Sequence, residues 1–422
     1  MTSHKNGYTK NGIIALCSLV YFVSYFSRKD FAAVMAGMIS EGVIARTNAG
    51  LVGTMLFAFY GVGQLLSGYL GDKIKPKYLI IIGLSTTAVC NALMPLIPEG
   101  AMIAVWGVNG LAQAMLWPPI VKILSTYLDH DTFVTANLVV TSAAHVATIL
   151  LYVFVPLCLV YMSWQTVFYT ASALAIISTV IFALLLQRIL PKDSSDQEPF
   201  DDAPKGNTSL EKSSEEGIAA VFTRSGVFTV LVCIVVCGFL RDGIESWLPT
   251  LYSEAFGKSA AESTLLSIIL PIFSVISISV VTVLHKKRAF NNEVLGSMIL
   301  FTSAIISAAL LALFVSLEGS VFGILSLILA AYICAAMHGV NFLLISCLPG
   351  RFARFGRAAT VSGICNSCVY VGAAISTYGI AFISGNLGWS VTALSWCVIL
   401  GVGIAFSLLS KRRYSRFINY HQ

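Results

Sequence analysis

Charge is scarce in this chain. Only 11% of its 422 residues are Asp, Glu, Lys or Arg, where a soluble domain carries about 25%. That scarcity, with 57% hydrophobic residues and a mean hydropathy of +0.84, excludes a soluble enzyme. The net charge of +6 does not point to nucleic acid, because the basic residues cluster in short loops. No P-loop and no room for an ATP-binding domain are present, which excludes a primary pump. Cys365 and Cys368 form a Cys-x-x-Cys inside an apolar run with no second pair, and the other cysteines are scattered through apolar runs. They read as small apolar residues at helix contacts, so no disulfide, metal or cofactor is expected. A signal-peptide core is also missing: residues 1–10 are polar, and the apolar run Asn11–Gly37 is too long for one.

What the chain has in abundance is long apolar runs. A spanning helix needs about 20 such residues. Twelve runs qualify, at 11–37, 48–71, 77–98, 101–126, 133–160, 164–189, 225–252, 262–284, 293–316, 320–347, 357–384 and 387–410. Residues 191–223 break the pattern. They are polar, acidic and rich in Ser and Pro, a composition that cannot bury a core and reads as a flexible cytoplasmic linker. The expected organisation is therefore an all-α integral membrane protein, with a six-helix bundle over 1–190 and a second over 224–422. With both termini inside, 21 of the 26 Lys and Arg residues fall in inner loops and tails. Only Arg46 and Lys258 fall outside, while Arg28, Lys29 and Arg241 lie within spans. This asymmetry follows the positive-inside rule and supports the topology.

The arginines within spans are the most informative residues. A guanidinium at membrane depth costs roughly 2.5 kcal/mol or more, so it faces a watery cavity or a partner. Arg28 and Arg241 lie 213 residues apart, at similar depths in the two halves. Trp164 and Trp389 open the sixth and twelfth runs with a similar offset of 225. Related halves carrying one arginine each suggest an anion held between two repeats.

Several motifs carry a family resemblance. The loop GYLGDKIKPK (Gly68–Lys77) is similar to the Gly-x-x-Gly-Asp-Arg/Lys loop of the major facilitator superfamily. Its Asp72 is placed to cap a helix or latch the cytoplasmic side, and the corresponding VLHKKRAFNNE loop has no such Asp. YFSRKDFAAVM on the first span, WPPIVK on the fourth, SAAHVATIL on the fifth and RDGIESWLPTLY on the seventh resemble the organophosphate:phosphate antiporters, in matching order. The resemblance implies a major facilitator fold and exchange of a sugar or glycerol phosphate for inorganic phosphate. It makes Arg28 and Arg241 the phosphate clamp, which suits the bidentate fork of a guanidinium. His145 would assist phosphate recognition. Tyr25, one turn before Arg28, would either donate to phosphate or pack. Lys29 would pair with Asp30, Asp242 or Glu245 as a gating ion pair or a static one. Trp117, Pro118, Pro119 and Lys122 would kink and anchor the fourth span.

Two departures from the family pattern stand out. Gln64 replaces the family's cavity lysine in FYGVGQ, and Glu245 sits one position before the usual acid, with Ser246 in its place. His338 with Asn341, and Asn366 with Tyr370, have helical spacings of three and four. They are candidates to read the substrate's organic half or to bond between helices. The expected protein is a monomer of the bacterial inner membrane, with the lipid bilayer, an organic phosphate and inorganic phosphate as partners and no nucleic acid. Two alternatives stay open: a non-transporting sensor of sugar phosphate, and a proton-coupled symporter of another anion using Asp30, Asp242 or Glu245.

Overall fold

The computed structural model describes residues 2–189, 222, 225–287, 292–317, 319–355 and 358–419. The linker over 191–223 lies outside the described residues except for Phe222, and so does the side chain of Asp72. Regular structure among the described residues is helical throughout. The first half holds α1 (Thr2–Ser40), α2 (Arg46–Lys73), α3 (Pro76–Leu93), α4 (Glu99–Ala114), α5 (Trp117–Tyr127), α6 (His130–Tyr161) and α7 (Trp164–Ile189). The second holds α8 (Val227–Phe256), α9 (Ala260–Leu266), α10 (Ile269–Lys286), α11 (Glu293–Phe314), α12 (Ser320–Asn341) and α13 (Ala358–Asn419).

Local chemistry sets the helix ends. Pro76 opens α3, where its missing N–H is no loss. Ser259 and Glu262 form a reciprocal capping box on α9. Gly257 ends α8 with φ 62°, a left-handed conformation that favours glycine. Asp129 caps α6 by accepting from the Thr132 amide, and it also pairs with Lys10 of α1. The Lys10 ammonium and Thr132 hold its carboxyl well below the usual carboxylate range. This tie is therefore intact at neutral pH and weakens only as the medium turns strongly acidic.

Ten described segments are long and apolar enough to cross a membrane. The fourth predicted span is absent from that set because Trp117-Pro118-Pro119 breaks it into α4 and α5. A proline ring cannot continue the preceding helical turn, so α4 stops at Ala114. The eleventh and twelfth predicted spans both lie in α13, on either side of a kink. That helix turns at Gly388, whose φ of 81° and ψ of 174° are not helical.

Helix packing creates a central space. In the first half α1 packs on α6 and α7, α2 on α4, and α3 on α7. In the second half α8 packs on α12 and α13, and α11 on both of these. Between the halves, α2 meets α13, and α1 meets α8 and α9. Large apolar side chains such as Ile176, Leu184, Ile306 and Val398 stay exposed, as suits helices solvated by lipid. The tightest crossing joins α8 to α13. A Cβ on Gly372 would lie 2.0 Å from the Val235 carbonyl oxygen, and one on Gly238 would lie 2.1 Å from that of Val369.

Backbone approach this close leaves no space for a methyl group. Gly372→Ala should therefore force α8 and α13 apart and lower stability by about 1–3 kcal/mol. Thermal unfolding of purified protein checks it. Gly401→Ala, whose Cβ would meet nothing within 4 Å, should leave the midpoint unchanged or slightly higher.

Candidate functional site

A cavity of about 900 Å³ lies between α1, α2 and α6 on one side and α8, α10, α12 and α13 on the other. It is lined by Arg28, Arg241, His145, Tyr25, Gln64, His338, Asn341, Asn366 and Tyr370, the full set of predicted substrate residues. Lys29, Asp242 and Glu245 line it too. Asp30 does not: it is fully buried, one carboxylate oxygen accepts from the Phe31 amide at 2.7 Å, and the other has no hydrogen-bond partner.

Arg28 stands on a helix that is pinned in place. The Ser27 carbonyl accepts from Asn91 at 3.2 Å and from Asn109 at 3.3 Å, and Ser24 donates to Gln113 at 2.5 Å. These contacts fix the rotation of α1 through buried polar groups. Tyr21, Tyr25 and Arg28 then share a face, being four and three residues apart. Tyr21 packs against Trp117 with ring centroids 4.6 Å apart. The Arg28 guanidinium carbon lies 4.2 Å from the Tyr25 ring centre and 5.0 Å from that of Tyr60. Tyr60 in turn packs against Tyr370 at 4.4 Å. Arg28 is thus held by aromatic faces, with no carboxylate partner among the described residues.

Arg241 is held differently. Its Nε and Nη2 donate to the two carboxylate oxygens of Asp242 at 3.2 and 2.7 Å, and Nη1 donates to Asn341 Oδ1 at 2.6 Å. Lys29 had three acids within reach in sequence terms. It pairs with Glu245 at 2.5 Å, so the ion pair links α1 to α8 across the cavity. His338 Nε2 meets the other oxygen of Glu245 at 3.0 Å. Glu245, Cys334 and His338 offer ligand atoms within 4.8 Å of one another, but a metal ion there would have to expel the Lys29 ammonium. His145 Nδ1 lies 3.1 Å from the Thr141 carbonyl. That contact assigns a proton to Nδ1. The Asn366 amide donates to the Ser362 carbonyl at 3.1 Å.

One end of the cavity is closed where α2 and α8 meet α13. Thr54 Oγ1 donates to the Ala374 carbonyl at 2.8 Å, and the Trp247 indole donates to the Thr377 carbonyl at 3.1 Å. Beyond them Arg46 pairs with Glu254, and the Trp389 indole donates to the same carboxylate at 2.7 Å. The lining at the opposite end runs past Asn137, Thr282, Ser346 and Pro349. Tyr60 and the Asn91, Asn109 and Gln113 group were not singled out from the sequence. Tyr60 was detectable, because it lies one turn before Gln64 on the same face.

The chain matches the Major Facilitator Superfamily over residues 17–377. It belongs to that superfamily. This major facilitator is a multi-pass membrane protein, and the proteins it resembles are transporters and membrane sensors rather than enzymes. It is 25% identical over 225 residues to a probable hexose phosphate transport protein of Chlamydia trachomatis, covering 51% of the chain and 48% of the relative. It is 21% identical over 411 residues to the corresponding protein of Chlamydia muridarum, covering 90% and 87%. It is 26% identical over 252 residues to the glycerol-3-phosphate transporter of Bacillus subtilis, covering 57% and 56%. The chain thus spans about half the length of the first and third of these. Among solved structures it superposes on a bacterial homolog of the human lysosomal transporter Spinster, in its inward-facing unoccupied form. The TM-score is 0.76 and identity 15%, with 97% of this chain and 98% of that one covered.

The ion pair between α1 and α8 generates a stability prediction for this major facilitator. Removing one partner of a buried pair strands the other charge at about 3–5 kcal/mol, and this partly buried pair should cost less. Glu245→Gln should lower the unfolding midpoint, and adding Lys29→Met should restore part of the loss. Thermal unfolding of both single variants and the double variant measures the coupling. Additive losses would show that Lys29 and Glu245 do not depend on each other.

Proposed function

We propose that this major facilitator exchanges a sugar-phosphate or glycerol-phosphate anion for inorganic phosphate by alternating access. In this reading the chain crosses the membrane twelve times, as six-helix bundles over 1–190 and 224–422 joined by a cytoplasmic linker over 191–223. Both termini are cytoplasmic, and the protein works as a monomer in the bacterial inner membrane. Arg46 was placed in an outer loop by the charge count, so the closed end faces outward and the cavity opens to the cytoplasm.

The observation that carries the reading is Arg28: a cavity-lining cation without a carboxylate partner among the described residues, framed by Tyr25 and Tyr60. An anion entering the cavity meets that charge first, with Arg241, His145 and Gln64 completing its surroundings. His338, Asn341, Asn366 and Tyr370 face the organic half of the ligand. The cationic cavity resists closing around Arg28 when empty, because a lone charge in a dry interior is expensive. Bound anion removes that barrier, and this enforces exchange. Lys29 and Glu245 cross between the bundles and act as the gating pair. Asp72 latches the cytoplasmic side in the opposite state.

Proteoliposomes loaded with phosphate test the proposal. Labelled phosphate should enter saturably and only when phosphate is inside, and hexose phosphate or glycerol phosphate should compete. Arg28→Lys should reduce exchange by about tenfold or more, since an ammonium lacks the planar fork. Unimpaired exchange in Arg28→Lys would remove Arg28 from the clamp. Phosphate binding without flux would indicate a sensor, and uptake driven by a proton gradient would indicate a symporter.

A further inference from the structure

The charges in the cavity are unequally occupied. Among the described residues five charged side chains line it: Arg28, Lys29, Arg241, Asp242 and Glu245. Leaving the histidines aside, these five sum to a single positive charge. Lys29 is already paired with Glu245. Arg241 is charge-compensated: Asp242 takes both Nε and Nη2, and Asn341 takes one N–H of Nη1. Asp242 therefore neutralises Arg241 and occupies the Nε/Nη2 fork with which it would otherwise grip two phosphate oxygens. Asp242 follows Arg241 directly on α8 and keeps only about a tenth of its side chain exposed, so its position is set by the same helix turn. A ligand with one negative charge needs only Arg28. The second charge of a dianion finds no further uncompensated cation among the described lining residues and must split a partly buried ion pair, which strands a carboxylate.

We propose that Asp242 is a specificity-determining residue that sets the cavity to accept one negative charge, favouring singly charged phosphoryl ligands, diesters included, over dianions. This deepens the reading of the cavity as a phosphate-ester site and rests on it. Glu245 does not play the same part, because its carboxylate ties Lys29 and His338 across the helices rather than blocking an arginine fork.

The test uses the full chain in proteoliposomes and competition against labelled inorganic phosphate. The probes are dimethyl phosphate, which carries one charge at any working pH, and methyl phosphate, whose second proton leaves near about pH 6. At about pH 8 dimethyl phosphate should compete at least about tenfold better, a modest fraction of one unshielded charge contact. At about pH 5, where methyl phosphate is also singly charged, the gap should close, which separates charge from shape. Asp242→Asn removes the countercharge of Arg241 and releases at least one arm of that fork, and should raise competition by methyl phosphate at high pH by about tenfold. A wild-type preference for the dianion would overturn the proposal, and so would an unchanged ratio in an Asp242→Asn protein that still exchanges. If Asp242→Asn does not fold, the wild-type pH comparison decides alone. A folded protein that takes up no labelled phosphate and responds to neither probe refutes the exchange reading and this inference together. Efficient exchange of a dianion refutes this inference only.

Discussion

The structure is organised by the need to keep charge balanced inside an apolar medium. A guanidinium or ammonium at membrane depth must be met by an opposite charge, by aromatic faces or by water. Here each cation has a different answer. Lys29 is met by Glu245, Arg241 by Asp242 and Asn341, and Arg28 by the rings of Tyr25 and Tyr60. Rings leave the positive charge of Arg28 in place, whereas a carboxylate neutralises it. Arg28 is therefore the place where an incoming anion gains most.

The surrounding helices serve that arrangement. The carbonyl of Ser27, bound by Asn91 and Asn109, fixes how α1 presents Arg28 and Lys29 on adjacent faces. The glycine crossing of α8 and α13 brings Arg241 and Tyr370 into the same cavity. Contacts between the halves are of two kinds. Close backbone packing and the Arg46, Glu254 and Trp389 group shut one end. In the middle, the Lys29 and Glu245 pair joins them through two flexible side chains. A pair of that sort can part and reform without repacking a core, which suits a junction that must change during alternating access.

Much of this was legible in the sequence. Hydropathy located the helices, because lipid requires long apolar runs with satisfied backbone groups. Trp117-Pro118-Pro119 announced the break between α4 and α5 through the missing N–H and ring clash of proline. Arg28 and Arg241 stood out through their cost in an apolar run. The partner of each cation was not legible: Asp30, Asp242 and Glu245 are equivalent as letters, and only helix rotation decides which faces Lys29. Asn91, Asn109 and Gln113 were passed over because isolated polar residues in apolar runs give no hint of a shared acceptor. A break between the eleventh and twelfth runs was legible near 384–387, but the positive φ of Gly388 that makes it cannot be read from the sequence.

The central claim is that Arg28 is a ligand-ready cation rather than a structural one. Phosphate-dependent thermal stabilisation of wild type and Arg28→Gln tests this most directly, because a ligand raises stability in proportion to the logarithm of its concentration above Kd. The wild-type midpoint should climb with added phosphate. Arg28→Gln should unfold at the same temperature or higher without phosphate, having lost an unpaired charge, and should show no climb. An undiminished climb in Arg28→Gln, or a large loss of its phosphate-free stability, would contradict the account.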